Sequence, residues 1–205
     1  EYHPDVLDWY RFDGKQYGIP SGIDIEFIVY NKRLFDEFGV EYPEDDWTID
    51  DFLKTAKALT VDRDGDGRTD QYGYFGNISF GVFGASAIAP DGSRAMCNSP
   101  EMIEAIQFNV DLVYKHKVSR WLPFPSQLAL QPYEQFSLFQ RGKMAMMLAA
   151  TYALEDLRSR CADIDWDIVA MPVANRRAYW ASSSAFLISA DTQHADEAWL
   201  LFKEL

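Results

Sequence analysis

A chain of 205 residues is long enough for one domain or two small ones, and 48% hydrophobic with 25% charged residues is ordinary globular composition. Its 32 acids against 19 bases leave a net charge of -13, which repels nucleic acid and anionic membrane surfaces unless a basic stripe stands out. None does: Lys32-Arg33 and Arg176-Arg177 are too short to track a phosphate backbone, so nucleic acid is excluded as a partner. The longest apolar run, Met144 to Ala150, falls far short of a membrane span. The chain opens at Glu1 without an initiator Met, so an upstream segment is expected to be missing.

In chain order, Phe27-Ile28-Val29-Tyr30 predicts a short buried strand. Asn31 is placed to cap a helix that runs through Phe38 and stops at Gly39. Thr48 with Asp51 three residues on forms a capping box, and Trp47 with Phe52 a hydrophobic staple. That helix runs to Thr60 with Ile49, Phe52, Leu53, Ala56 and Leu59 on its core face. Ser99-Pro100 starts another, with Ile103, Ile106, Val110 and Val113 on one face and an end near His116.

Glu134 to Arg141 reads as a short helix closed by Gly142, Met144 to Ala149 as a fully buried strand, and Tyr152 to Arg160 as a helix. Strands are expected over Asp165 to Pro172 and Phe186 to Ile188. A C-terminal helix with Ala195, Ala198, Leu201, Phe202 and Leu205 apolar has no closing cap, so a truncated C-terminus is expected too. The alternation of helices and strands argues an α/β class with largely parallel sheets.

The sharpest local signal is the run Asp62 to Asp70. It places carboxylates of Asp62, Asp64, Asp66 and Asp70 at loop positions 1, 3, 5 and 9, Gly67 at 6 and the Arg68 carbonyl at 7, the order that wraps calcium. Position 12 is Gly73 rather than a bidentate Glu, and Gln71 is a candidate neutral oxygen. Two readings stand: a structural calcium ion, with no other cofactor, or a metal-free turn closed by Asx-type hydrogen bonds. Cys97 and Cys161 are too few and too far apart for a metal cluster or redox pair; two unlinked thiols and a disulfide are the alternatives.

Catalytic motifs are missing. His3, His116 and His194 belong to no motif, and no nucleophile-elbow, Walker or dinucleotide glycine pattern occurs. With 14 Phe, 11 Tyr and 6 Trp beside plentiful acids, the composition suits a carbohydrate site, where C–H faces lie on rings and hydroxyls need acceptors. A glycoside hydrolase also fits such a composition, because its paired carboxylates are neighbours in space rather than in sequence. A calcium-dependent structural module is the third reading.

Six segments resemble the family 1 extracellular solute-binding proteins of carbohydrate ABC importers, the group that includes maltose-binding protein. In order they are Gly14 to Pro20 leading into Val29 to Phe35; Trp47 to Phe52 with Leu59-Thr60; Asp62 to Gly67 with Gln71-Tyr72-Gly73; Asn98 to Glu101; Phe139 to Met146; and Trp166 to Pro172. The resemblance implies a type II two-lobe periplasmic-binding-protein-like α/β fold, incomplete at both ends, that is, an internal fragment. Residues 1–25 and 165–205 would belong to lobe I, 26–151 to lobe II, and 152–164 would connect them.

It further implies no enzymatic activity. The expected role is a monomeric receptor that captures a sugar or oligosaccharide in an interlobe cleft and delivers it to ABC permease subunits. It would stand outside the cytoplasm, periplasmic or lipid-anchored at the outer membrane face. Residue by residue, Asp24 matches a cleft carboxylate, Tyr152 matches a stacking Trp after the buried strand, and Trp180, Ser182 and Ser183 fall where many members line the cleft with Gly-Gly. The serines depart from that pattern, adding hydroxyls and restricting backbone access. Trp47 is assigned to the staple rather than to ligand.

Overall fold

The computed structural model describes residues 3–120 and 134–204. The chain forms two compact units, one of Glu1–Ile25 with Ala181–Leu205 and one of Glu26–Trp180. The strands are β1 (Arg11–Phe12), β2 (Lys15–Gln16), β3 (Ile19–Pro20), β4 (Asp24–Asn31), β5 (Tyr72–Phe75), β6 (Met144–Ala150), β7 (Trp166–Val169), β8 (Ala181–Ser182) and β9 (Ala185–Phe186). The helices are α1 (Pro4–Asp8), α2 (Lys32–Phe38), α3 (Ile49–Ala58), α4 (Pro100–Tyr114), α5 (Glu134–Gln140), α6 (Leu154–Arg160) and α7 (Ala195–Glu204).

The smaller unit is built from short antiparallel pairings. β1 and β2 close a hairpin over Asp13 and Gly14, both at positive φ, the combination a two-residue turn demands. β3 pairs with β9, and the start of β4 pairs with β8. The ring of Phe186 meets that of Phe202 on α7 edge-on at 5.8 Å. α7 buries none of its residues, so the apolar face expected over Ala195, Ala198, Leu201 and Phe202 has no full cover among the described residues; Leu205 lies outside them.

The larger unit centres on a sheet ordered β5-β6-β4-β7. Alternation along β4 sends Ile28 and Tyr30 into one core cluster with Leu34, Phe35 and Phe52, and Phe27 and Val29 into another with Phe136, Phe139 and Leu157. Helices therefore cover both faces, α2 and α3 on the first and α5 and α6 on the second. Among the described strands only β5 and β6 pair in parallel; β4 is antiparallel to β6 and to β7. The largely parallel arrangement expected from alternating elements is thus corrected, since alternation fixes the class but not the direction in which a strand enters the sheet. The pairing of β7 with β4 also groups residues 165–180 with this unit, whereas the resemblance assigns them to the first lobe.

Local signals set the helix ends. The Asn31 side chain accepts from the Leu34 N–H, and Gly39 at φ 62 ends α2. Thr48 and Asp51 form the reciprocal capping box at α3, with the Trp47 ring edge-on to Phe52 at 5.7 Å. The Trp47 indole N–H donates to the Ala170 carbonyl at 2.9 Å. From there a strap, residues 170–177, is pinned along its length. Val173 exchanges backbone bonds with Trp47 and Ile49, Asn175 and Arg176 donate to the backbone of residues 81–83, and Arg177 donates to the Asp45 carbonyl.

α4 is a correction. It buries Met102, Ala105, Asn109 and Leu112, and leaves Ile103, Ile106 and Val110 exposed, with Val113 half-buried. The buried face carries a polar residue for a reason. Asn109 accepts from the Ile78 N–H at 2.7 Å and donates to the Ile78 and Ala105 carbonyls, satisfying an otherwise orphaned backbone. Apolar periodicity alone selects the neighbouring stripe. The helix expected over Tyr152 to Arg160 likewise divides into one 3-10 turn, Thr151–Ala153, and α6.

Candidate functional site

Each unit carries its own part of the expected ligand set. In the smaller unit Asp24 opens β4, half-buried, and lies opposite Ser182 in the antiparallel register with β8. The next residue, Ser183, donates its hydroxyl to the Gly22 carbonyl at 2.5 Å, while its own carbonyl accepts from the Tyr10 hydroxyl at 2.5 Å. Pairing of the two strand ends therefore brings Asp24, Ser182 and Ser183 together. Asp24 and Ser182 are cross-strand neighbours, a carboxylate and a hydroxyl of the kind that hydrogen-bond polyols, while Ser183 spends its hydroxyl on the Gly22 carbonyl.

In the larger unit Tyr152 stands on the 3-10 turn that follows β6 and is 72% exposed. Trp180 lies three residues beyond the strap at 48% exposure, and its carbonyl accepts the Glu26 N–H at 3.1 Å. Glu26 in turn lies opposite Ala150, two residues before Tyr152. The sheet end thus gathers two exposed rings and a half-buried carboxyl into one unit. Burial pushes the Glu26 carboxyl up from 4.5 to about 7, because removing water penalises the charged form.

Glu26 was not among the residues read from sequence, which started the strand at Phe27. Its signal was present: with Ile28 and Tyr30 facing a core, period two puts residue 26 on the same face. Two grooves also mark this unit, one of about 840 Å³ floored by Trp47 between α2 and α3, the other of about 260 Å³ beside Asp70. Neither includes Glu26, Tyr152 or Trp180.

The acidic loop folds as a chain of Asx-type turns. Asp62 accepts from the Gly67 and Gly65 N–H groups at 2.8 Å each, Asp64 from Asp66, and Asp66 from Arg68. These donors, Gly67 first, hold the Asp62 carboxyl below the usual carboxylate range. Carboxylate oxygens of Asp62, Asp64 and Asp70 lie within 4.8 Å of one another, while Asp66 is not part of that group. Asp70 also accepts from the Arg63 N–H and lies 3.6 Å from the Lys143 ammonium. Gln71 is committed elsewhere: its amide donates to the Leu59 carbonyl and its oxygen accepts from the Arg63 guanidinium. The three gathered carboxylates suit a hard cation, with Asp66 and Gln71 outside the set.

Gly73, at the twelfth loop position, presses against the Ala56 backbone of α3, leaving no room for the glutamate that closes a calcium loop. The two cysteines are free thiols, Cys97 exposed and Cys161 buried.

Comparison with known proteins adds the following. The family described as bacterial extracellular solute-binding protein matches residues 1–205. A binding protein of Brucella abortus is 26% identical over 208 residues, covering 96% of this chain and 46% of that protein. The arabinooligosaccharide-binding protein of Halalkalibacterium halodurans is 30% identical over 142 residues, 67% of this chain and 31% of its own length. Among solved structures, an ABC substrate-binding protein from Listeria monocytogenes in complex with cycloalternan superposes with a TM-score of 0.82 at 27% identity, covering 97% of this chain and 50% of that one. The chain spans about half the length or less of these relatives.

Proposed function

Because the chain belongs to the bacterial extracellular solute-binding protein family and has its α/β two-lobe fold, we propose that it serves an extracytoplasmic receptor which captures a sugar or oligosaccharide and delivers it to an ABC transporter. The family and the similar structures are binding proteins rather than enzymes, including the arabinooligosaccharide-binding and cycloalternan-bound relatives. The observation that carries the reading is the exposed Tyr152 ring on the turn after β6, in the same unit as Trp180. An aromatic this exposed and unneeded by the core suits the C–H face of a sugar. Asp24, Ser182 and Ser183 would accept its hydroxyls. Among the described residues no helix is long and apolar enough to cross a membrane.

Thermal unfolding of the full-length protein against a sugar panel tests this, since a ligand held by the folded state alone adds about 2.7 kcal/mol at a hundredfold excess over Kd. Cycloalternan, arabino-oligosaccharides, maltotriose and mannobiose are the first members. At least one is expected to raise the melting temperature by several degrees. A flat response across mono-, oligo- and cyclic sugars sinks the proposal, and release of reducing ends would instead favour a hydrolase.

For the acidic loop we propose a weak structural calcium site centred on Asp62, Asp64 and Asp70. Calorimetric titration of chelator-treated protein is expected to give binding heat with a Kd of roughly 10⁻⁴–10⁻³ M, the range of sites short of ligands. Absence of heat at millimolar calcium, or heat unchanged in Asp62→Asn, rejects it.

A further inference from the structure

Glu26 occupies a position that a core would normally give to an apolar side chain. It shares the inward face of β4 with Ile28 and Tyr30, both buried, and β4, like β6, is an interior strand of the sheet. Among the described residues no cation lies within ion-pair reach of its carboxyl. The titratable group facing it from β5 is Tyr74, fully buried with its hydroxyl on the Asn77 carbonyl. From β6 the register partner is Ala150, with Tyr152 two residues farther on. From the strap comes the Trp180 carbonyl, which takes the Glu26 N–H. Asp24 stands two positions earlier on the same strand.

A carboxyl withdrawn from water without a counter-charge costs free energy, which folding alone gives no reason to retain. Burial is incomplete, however: Glu26 is half-buried. Glu26 stands at the sheet end from which Tyr152 and Trp180 emerge, its N–H on the Trp180 carbonyl and its register partner two residues before Tyr152. Two rings for C–H faces and a carboxylate for hydroxyls are complementary halves of a sugar contact.

Building on the sugar-binding reading above, we propose that Glu26 is a ligand-contacting residue of the larger unit, its carboxylate accepting sugar hydroxyls and so coupling capture to loss of a proton. The coupling follows from its raised ionisation. With a value near 7 in the free protein, the group is substantially protonated at and below neutrality. Hydroxyl donors favour the ionised form, so the sugar pulls the carboxyl down and affinity rises with pH through this window. Acidification toward pH 5.5 weakens binding.

Calorimetric titration of the full-length protein at pH 8 and pH 5.5, with the strongest binder among cycloalternan, arabino-oligosaccharides, maltotriose and mannobiose, decides the matter. Affinity is expected to drop roughly tenfold at the lower pH, as a shift of about one unit on binding requires. Glu26→Gln keeps the size and removes the titration, so its affinity is expected to vary less than about twofold between the same conditions. A slope that survives in the variant overturns the proposal, whatever its affinity. If Glu26→Gln does not fold, proton release by the unaltered protein on sugar binding, read at pH 7 in two buffers of different ionisation enthalpy, decides alone: near-zero release overturns it. If no sugar binds the unaltered protein, the receptor reading fails instead.

Discussion

Gly73→Ala is expected to destabilise the larger unit by about 3 kcal/mol or more, the upper range for overpacking. A Cβ at this position would meet the carbonyl oxygen of Ala56, with the carbonyl carbon and Cα at 2.6 and 2.7 Å. All three are backbone atoms in α3, so no side chain can swing aside. Relief would require α3 to lift from β5, and α3 carries Phe52 and Ala56, both fully buried. The contact is also bonded in place, since Thr60 accepts the Gly73 N–H at 3.0 Å while donating to the Ala56 carbonyl at 2.7 Å. Urea unfolding of the full-length protein measures the loss. Gly22→Ala is the control, because a Cβ there meets nothing within 4 Å, and its midpoint should stay within about 0.5 kcal/mol of the parent. A midpoint for Gly73→Ala equal to that of the control would show that the approach of α3 to β5 is not held in solution.

Tyr152→Ala is expected to cut sugar affinity by roughly tenfold or more while leaving stability within about 0.5 kcal/mol. The two halves of that expectation come from one number. At 72% exposure the ring contributes little to the core, so its removal opens no cavity. Covering one face of a phenol with a pyranose removes on the order of 60 Å² of apolar surface from water, worth about 1.5 kcal/mol, and that is the tenfold. Tyr152→Phe separates face from hydroxyl and should retain most of the affinity. Equal affinity of Tyr152→Ala and the parent, for a sugar that does bind, would remove Tyr152 from the ligand set.

Where sequence signals act locally, they were legible. The Thr48-Asp51 box, the Trp47-Phe52 staple, the Asn31 cap and Gly39 stop are each decided within five residues, and all are present. The Asp13-Gly14 hairpin was equally local and went unread, because the strands it joins are only two residues long. What pattern alone could not give were facts set by distant partners. The buried face of α4 depends on Asn109 finding Ile78, thirty-one positions away. The direction of β4 depends on β6 and β7, far along the chain. The candidate site divides the same way: Tyr152 is named through the family resemblance, as the residue after a buried strand, whereas the proposed contact Glu26 is hidden by the apolar run beside it. Gln71, a plausible ligand on spacing, is taken by Leu59 and Arg63 through contacts that spacing does not encode.

The strap of residues 170–177 has a consequence for how selective such a receptor would be. Trp180 comes three residues after a segment tied to α3 and to residues 81–83 by backbone and side-chain bonds, and its own carbonyl takes the Glu26 N–H. A ring delivered by so taut a tether surrenders little freedom when a ligand arrives. Sugars that fit its fixed outline would be taken up without an ordering penalty, and those that do not would find a wall that cannot adapt to them.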